Sequence, residues 1–173
     1  MKLHLGCGDI RLTGWLNVDV RQCAGGDVIC DLVDLSPICG EGEADAIYAC
    51  HVLEHFGFNG VAPRAADVLR HWVSRLKPGG ECFISVPDLQ KVGLAIATET
   101  NPGAHFNFMK CLYGGCEYAQ NRHFIGFTRP LLEYWMQGAG LASFETFEPF
   151  ADDTSRFVLH GCAVSLNLKG TRA

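Results

Sequence analysis

The 173-residue chain has no run of basic residues, no low-complexity tract and no internal repeat. Its 14 lysines and arginines are outnumbered by 19 aspartates and glutamates, leaving a net charge of −5. That balance argues against generic binding along a nucleic-acid backbone, which needs a basic face. The first residues hold no long apolar stretch, so we read no signal peptide and no membrane anchor, and a reducing cytoplasm as the compartment. Cysteine is plentiful, but the nine are scattered and odd in number. Several sit inside apolar runs, where a free thiol behaves as a small hydrophobe. Cys111 and Cys116, with His105 and His123 nearby, raise the alternative of a zinc site. Their spacing is wider than zinc ligands usually show, so ordinary thiols and surface histidines are the preferred reading and no metal is expected.

What is present starts with Met1 to Val20. With 48% hydrophobic and 19% charged residues, 1–173 reads as one globular domain. Leu3-His4-Leu5 reads as a strand that stops at Gly6-Cys7-Gly8, and Trp15 to Val20 as a second strand with Asp19 near its carboxyl end. Glycine after the first strand lets a ligand lie against backbone. An acid after the second strand can accept hydrogen bonds from two ribose hydroxyls. Between Gly8 and Asp19 lie only ten residues, enough for one helical turn around Ile10 to Thr13. A diphosphate would lose its anion site on a helix amino terminus, and the third glycine of G-x-G-x-x-G is absent. A nucleoside without phosphate would lose little.

Further along, Asp27 to Leu32 reads as a third strand and Ala44 to Cys50 as a fourth, running into a helical turn at His51 to Phe56 that Gly57 to Gly60 breaks. Ala62 to Leu76 carries Val68, Leu69, Trp72, Val73 and Leu76 on one helical stripe, with Pro63 in its first turn and Lys77-Pro78-Gly79-Gly80 as its stop. Cys82 to Val86 reads as a fifth strand, closed by Pro87-Asp88. The alternation predicts an α/β fold with a parallel sheet, so Gly6, Asp19, Asp31, Cys50, His51 and Asp88 converge on one edge. Residues 89–127 are the least regular and rich in aromatics. They read as a lid or substrate wall, or equally as a partly helical loop over an apolar sheet edge. The same aromatics suit a dimer contact, so a monomer or a homodimer is expected. Thr128 to Gln137 reads as a second helix with Thr128 as cap. Ser143 to Phe150 and Phe157 to Leu168 read as terminal strands, joined by a short loop into an antiparallel hairpin.

The successive segments LHLGCGD, WLNVDV, CDL, HVLEHF and RLKPGGECFISVPD resemble the class I S-adenosylmethionine-dependent methyltransferases, and within them the small type 11-like group. The resemblance implies a Rossmann-like, doubly wound, mostly parallel seven-stranded sheet with an antiparallel last strand, here with a shortened first helix. It implies S-adenosylmethionine as cofactor. Gly6, Cys7 and Gly8 would lie under its methionine part, and Asp19 with the adjoining Val20 would meet the ribose. Asp31 would meet the adenine amino group, and Leu32 a ring nitrogen through backbone N–H. Cys50 and His51 would line the pocket near the sulfonium. Two departures stand out: His4 replaces an acid that many relatives carry, and the first helix is curtailed. Arg11 would meet the methionine carboxylate, or else be a solvated loop arginine. His51, Asp88 and His123 are the candidate bases, with His55 packed beneath His51. The acceptor would be a small molecule or a sugar-containing precursor. Ala49-Cys50-His51 stands where amino-methylating nucleic-acid enzymes carry an Asn-Pro-Pro-Tyr-like run, so no nucleic acid is expected. Two alternatives are an inactive methyltransferase-like scaffold and, disfavoured by the missing helix and glycine, a nicotinamide-dependent oxidoreductase.

Overall fold

A computed structural model describes residues 1–58 and 63–173. Seven strands form one sheet in the order β3-β2-β1-β4-β5-β9-β6. They are β1 (Lys2–Leu5), β2 (Leu16–Asp19), β3 (Val28–Ile29), β4 (Ala44–Cys50), β5 (Leu76–Pro87), β6 (Leu141–Thr146) and β9 (Ser165–Arg172). The pairs β1–β2, β1–β4, β2–β3 and β4–β5 are parallel, and β9 runs antiparallel to both β5 and β6. This is the expected Rossmann-like, mostly parallel sheet with an antiparallel last strand. Strand order reverses at β1, and the carboxyl ends of β1, β2 and β4 open the crevice there, where open α/β sheets place ligands. No helix forms between β1 and β2; the chain makes turns only.

Alternation along the strands sorts the two faces. Leu3, Leu5, Ile47 and Ile84 join Leu69 and Trp72 of α1 (Ala65–Arg75) and Leu132 and Met136 of α4 (Arg129–Gly138) in one buried cluster. Tyr48 points the other way and meets Phe147 and Phe150. Phe83 contacts the same two rings. These aromatics draw the link after β6 across the sheet. The predicted terminal hairpin is therefore corrected: β6 and β9 do pair, but residues 147–164 between them form no tight loop. They carry the small ladder of β7 (Val158–Leu159) and β8 (Cys162–Ala163).

Other boundaries differ from expectation for local reasons. Helix α1 starts at Ala65. Before it, the Gly57 N–H donates to the Pro63 carbonyl and the Ala65 N–H to the Gly57 carbonyl, so Arg64 is bridged to Gly57 and stays extended. Gly60 and Ala62 lie outside the described residues. The run from Lys77 to Gly80 ends the helix as predicted but belongs to β5, which skips register between its pairings with Ala44 and Ala46. Residues 89–127 hold two helices, α2 (Leu89–Thr98) and α3 (Pro102–Tyr113), capped by the Asp88 and Asn101 side chains. In α4 the Thr128 hydroxyl accepts from the Leu131 N–H, the predicted cap. No helix among the described residues is long and apolar enough to cross a membrane.

Candidate functional site

A cavity of about 1000 Å³ opens at the carboxyl ends of β1, β2 and β4. Its floor is the turn after β1. Gly6 and Gly8 both adopt positive φ, +66° and +52°, which an L side chain resists. A Cβ on Gly6 would also overlap the Val52 Cγ2. We expect Gly6→Ala to cost about 2–3 kcal/mol in stability, from the left-handed backbone and the overlap together. Thermal melts check this, and Gly6→Ala with Val52→Ala should recover only the part due to overlap.

The turn is tied to Asp19. The Gly8 N–H donates to Asp19 Oδ2 at 3.0 Å and the Arg21 N–H to Oδ1 at 2.9 Å. Cys7 and Cys23 bring their sulfurs within 3.8 Å beneath the turn. Burial and that neighbour push the Cys7 thiol up to about 12, so it is an inert packing group. Val20, Asp31, Leu32 and Cys50 also line the cavity. Leu32 is fixed by its carbonyl, which accepts from Trp72 Nε1 at 2.7 Å. Burial, with Asp153 nearby, pushes the Cys50 thiol up to about 12. The residues after α3 form the opposite wall, from Gly114 to Phe124, and the Arg21 guanidinium lies 4.1 Å from the Tyr118 ring centroid, joining that wall to the end of β2.

At the end of β4 stands a cluster of histidines around an acid. His51 adopts φ +53°, and its Nε2 lies 2.8 Å from Ser165 Oγ. Its Nδ1 lies 3.3 Å from Glu54 Oε1. His123 arrives from the far wall, its Nε2 3.9 Å from the same oxygen. His55 lines the cavity instead of packing beneath His51, with Nδ1 3.0 Å from the Arg122 carbonyl. Burial pushes the Glu54 carboxyl up, but the histidines, His51 first, outweigh it and hold it below the ordinary value. Burial pushes the His123 imidazole down. Glu54 was not singled out from the sequence. The signal was its place three residues after His51, which a helical turn brings back to the same side.

Comparison with solved structures places this arrangement. A methyltransferase from Thermotoga maritima, described as SAM-dependent and a possible histamine N-methyltransferase, matches with TM-score 0.61 at 15% identity over 99% of this chain and 82% of its own. A SAM-dependent methyltransferase from Archaeoglobus fulgidus matches with TM-score 0.61 at 14% identity over 99% of this chain and 85% of its own. The 1,6-didemethyltoxoflavin-N1-methyltransferase of Burkholderia thailandensis matches with TM-score 0.59 at 18% identity over 99% of this chain and 70% of its own. The chain has the fold of the S-adenosylmethionine-dependent methyltransferases. No family model and no curated protein matches its sequence.

On this methyltransferase fold several predicted residues have other occupations. Arg11 pairs with Asp27 at 2.5 Å on the exterior and does not reach the cavity. Bonds from Asn17, then the Arg11 guanidinium, hold Asp27 at about 2. Asp88 caps α2 through the N–H groups of Gln90 and Lys91, both at 3.1 Å, and is absent from the cavity wall. His4 is buried, 3.0 Å from Asn17 Oδ1 and stacked on Tyr48. The zinc alternative does not assemble, since His105 Nε2 meets the Glu99 carbonyl at 2.9 Å and Cys116 is exposed. With no helix after β1, the methyltransferase fold here offers no helix amino terminus to a diphosphate.

Proposed function

We propose that this protein transfers a methyl group from S-adenosylmethionine to a small-molecule acceptor, sugar-containing precursors included. The supporting observation is the cavity itself: Gly6, Gly8, Asp19 and Asp31 line one end and His51, His55 and His123 the other, with Glu54 buried behind the histidines. The residues fit the cofactor. At Gly6 a Cβ would overlap Val52, so bare backbone floors the cavity there, and Asp19 sets a carboxylate at the end of β2. When bound, S-adenosylmethionine supplies an electrophilic methyl on its sulfonium. Gly6, Cys7 and Gly8 would hold the methionine part, Asp19 and Val20 the ribose, Asp31 and Leu32 the adenine. Cys50 and His51 would border the sulfonium. The protein's main task is then to hold the acceptor in line and keep water out. An oxygen or acidic-carbon acceptor also has a proton to lose, and His51 and His123 border the space where it would be released. One solved structure of the same fold carries bound 1,6-didemethyltoxoflavin and S-adenosylhomocysteine, the kind of pair this reading requires.

Calorimetric titration with S-adenosylmethionine and S-adenosylhomocysteine tests the reading, with binding near the micromolar range expected for both. Absence of binding at millimolar concentration would move the conclusion to the second reading, a methyltransferase-like scaffold without activity. That reading draws on Arg11 being held by Asp27 and on a buried His4 in place of an acid.

A further inference from the structure

Glu54 is completely buried, and among the described residues neither of its oxygens has a hydrogen bond, although His51 Nδ1 comes within 3.3 Å. Native interiors rarely leave a carboxylate so placed, because an uncompensated buried charge is strongly destabilising. The buried His123 Nδ1 is also without a partner. The hydrogen bonds nearby orient the histidine rings. The Arg122 carbonyl can only accept, so His55 Nδ1 donates to it and Nε2 is left outside that bond. The Ser165 hydroxyl donates to the Thr154 carbonyl at 2.8 Å, so it accepts from His51 Nε2, and the other ring nitrogen of His51 faces Glu54. Imidazoles of His51, His55 and His123 thus gather around one buried carboxylate.

We propose that Glu54, His55 and His123 bind a divalent transition-metal ion of the zinc or manganese class. One ligand atom from each lies within 4.8 Å of the other two. Ligand bonds of about 2.0–2.2 Å separate neighbouring donors by roughly 3–3.5 Å, so side-chain shifts on the order of 1 Å close the site. Two imidazoles with one carboxylate suit zinc, manganese, iron or cobalt better than calcium, which prefers oxygen donors alone. The His55 Nδ1–H bond to the Arg122 carbonyl is the outer-shell contact that ligating histidines usually make. Three protein ligands leave a coordination position open, the mark of a reactive site and not of a structural one. His55 and His123 both line the cavity, so that position faces it. Resting on the methyl-transfer reading, this narrows the acceptor to one with a hydroxyl or carboxylate oxygen to complete the coordination. The other close group, Cys7, Asp19 and Cys23, is a poorer site, because both Asp19 oxygens already accept backbone N–H bonds.

The test is titration of chelator-treated protein, without S-adenosylmethionine, with zinc, manganese and cobalt ions, followed by calorimetry and by the visible absorption of bound cobalt. One equivalent should bind. Glu54→Gln, close to isosteric, and His55→Ala should each weaken it by about a hundredfold or more, more than an outer-shell change does. His105→Ala, outside the cluster, should bind as the wild type does. No stoichiometric binding, or binding that Glu54→Gln and His55→Ala leave unchanged, would overturn the proposal. Cofactor binding is measured separately, so either reading can fail without the other.

Discussion

Asp19→Asn should lower the affinity for S-adenosylhomocysteine by about a hundredfold with the fold retained. Hydrogen bonds to a charged acceptor are worth about 1.5–3 kcal/mol each, and on the proposed reading a ribose would present two hydroxyls to this carboxylate. Losing the charge, and one of two acceptor oxygens, removes about 3 kcal/mol, which is about two orders of magnitude in affinity. Asparagine is the informative substitution because Asp19 has a second duty. It accepts from the Gly8 and Arg21 N–H groups, and the amide oxygen can keep only one of those bonds. The other N–H then faces an amide NH2, for a loss of about 1 kcal/mol that a thermal melt reads. Calorimetry separates the two effects. Unchanged affinity in Asp19→Asn would place the ribose elsewhere on the sheet edge.

Trp72→Ala should be among the most destabilising substitutions in the chain. The indole is fully buried, meets Phe56 edge to face and donates to the Leu32 carbonyl at 2.7 Å. Aromatic truncation in a core costs about 3–5 kcal/mol. At about 2–4 °C per kcal/mol for a chain of this size, the melting temperature should fall by roughly 6–20 °C. Trp72→Phe keeps most of the buried area and loses the hydrogen bond, so it should cost markedly less. Circular dichroism melts of both variants check the order. Equal losses would show that the bond to Leu32, and not burial of the ring, holds α1 to this end of the sheet. Leu32 also lines the cavity, so Trp72→Ala should weaken S-adenosylhomocysteine binding as well.

The sheet could be read as far as β5 because each strand announces itself locally: an apolar run, followed at β1, β2, β3 and β5 by glycine or aspartate and at β4 by a helical turn. Helices α1 and α4 were legible from one apolar stripe and a terminal signal. Helix α2 was not, because LQKVGLAIAT is apolar on most sides while only Val92 in it is fully buried and Leu94 is exposed. Its periodicity is blurred, although the Asp88 cap was in plain view and was taken for a base. Phe147 and Phe150 sit in an apolar run that reads as strand but pack across the sheet as a cover. At the site, Gly6, Gly8 and Asp19 were visible since they act through their own turns. Glu54 was hidden because what distinguishes it is its neighbours, and His123 lies 69 positions along the chain (123 − 54). For Arg11 the sequence leaves open the methionine carboxylate or a solvated loop position, and the structure pairs it with Asp27, a contact that requires knowing the loop's path.

The position of β9 between β5 and β6 has a consequence for how the chain is made. During synthesis β6 has no strand beside it until Ser165–Arg172 has emerged, because β9 is its sole neighbour in the sheet. β5 likewise waits, with Glu81 pairing to Thr171 across 90 positions (171 − 81). Contacts of such long sequence separation are slow to form, and unpaired strand edges are sticky while they wait. A nascent chain halted before β9 therefore holds one open edge of β5 and an unpartnered β6 at once, their backbone N–H and C=O groups unpaired, and that is the stage at which a chaperone that shields strand edges would matter most.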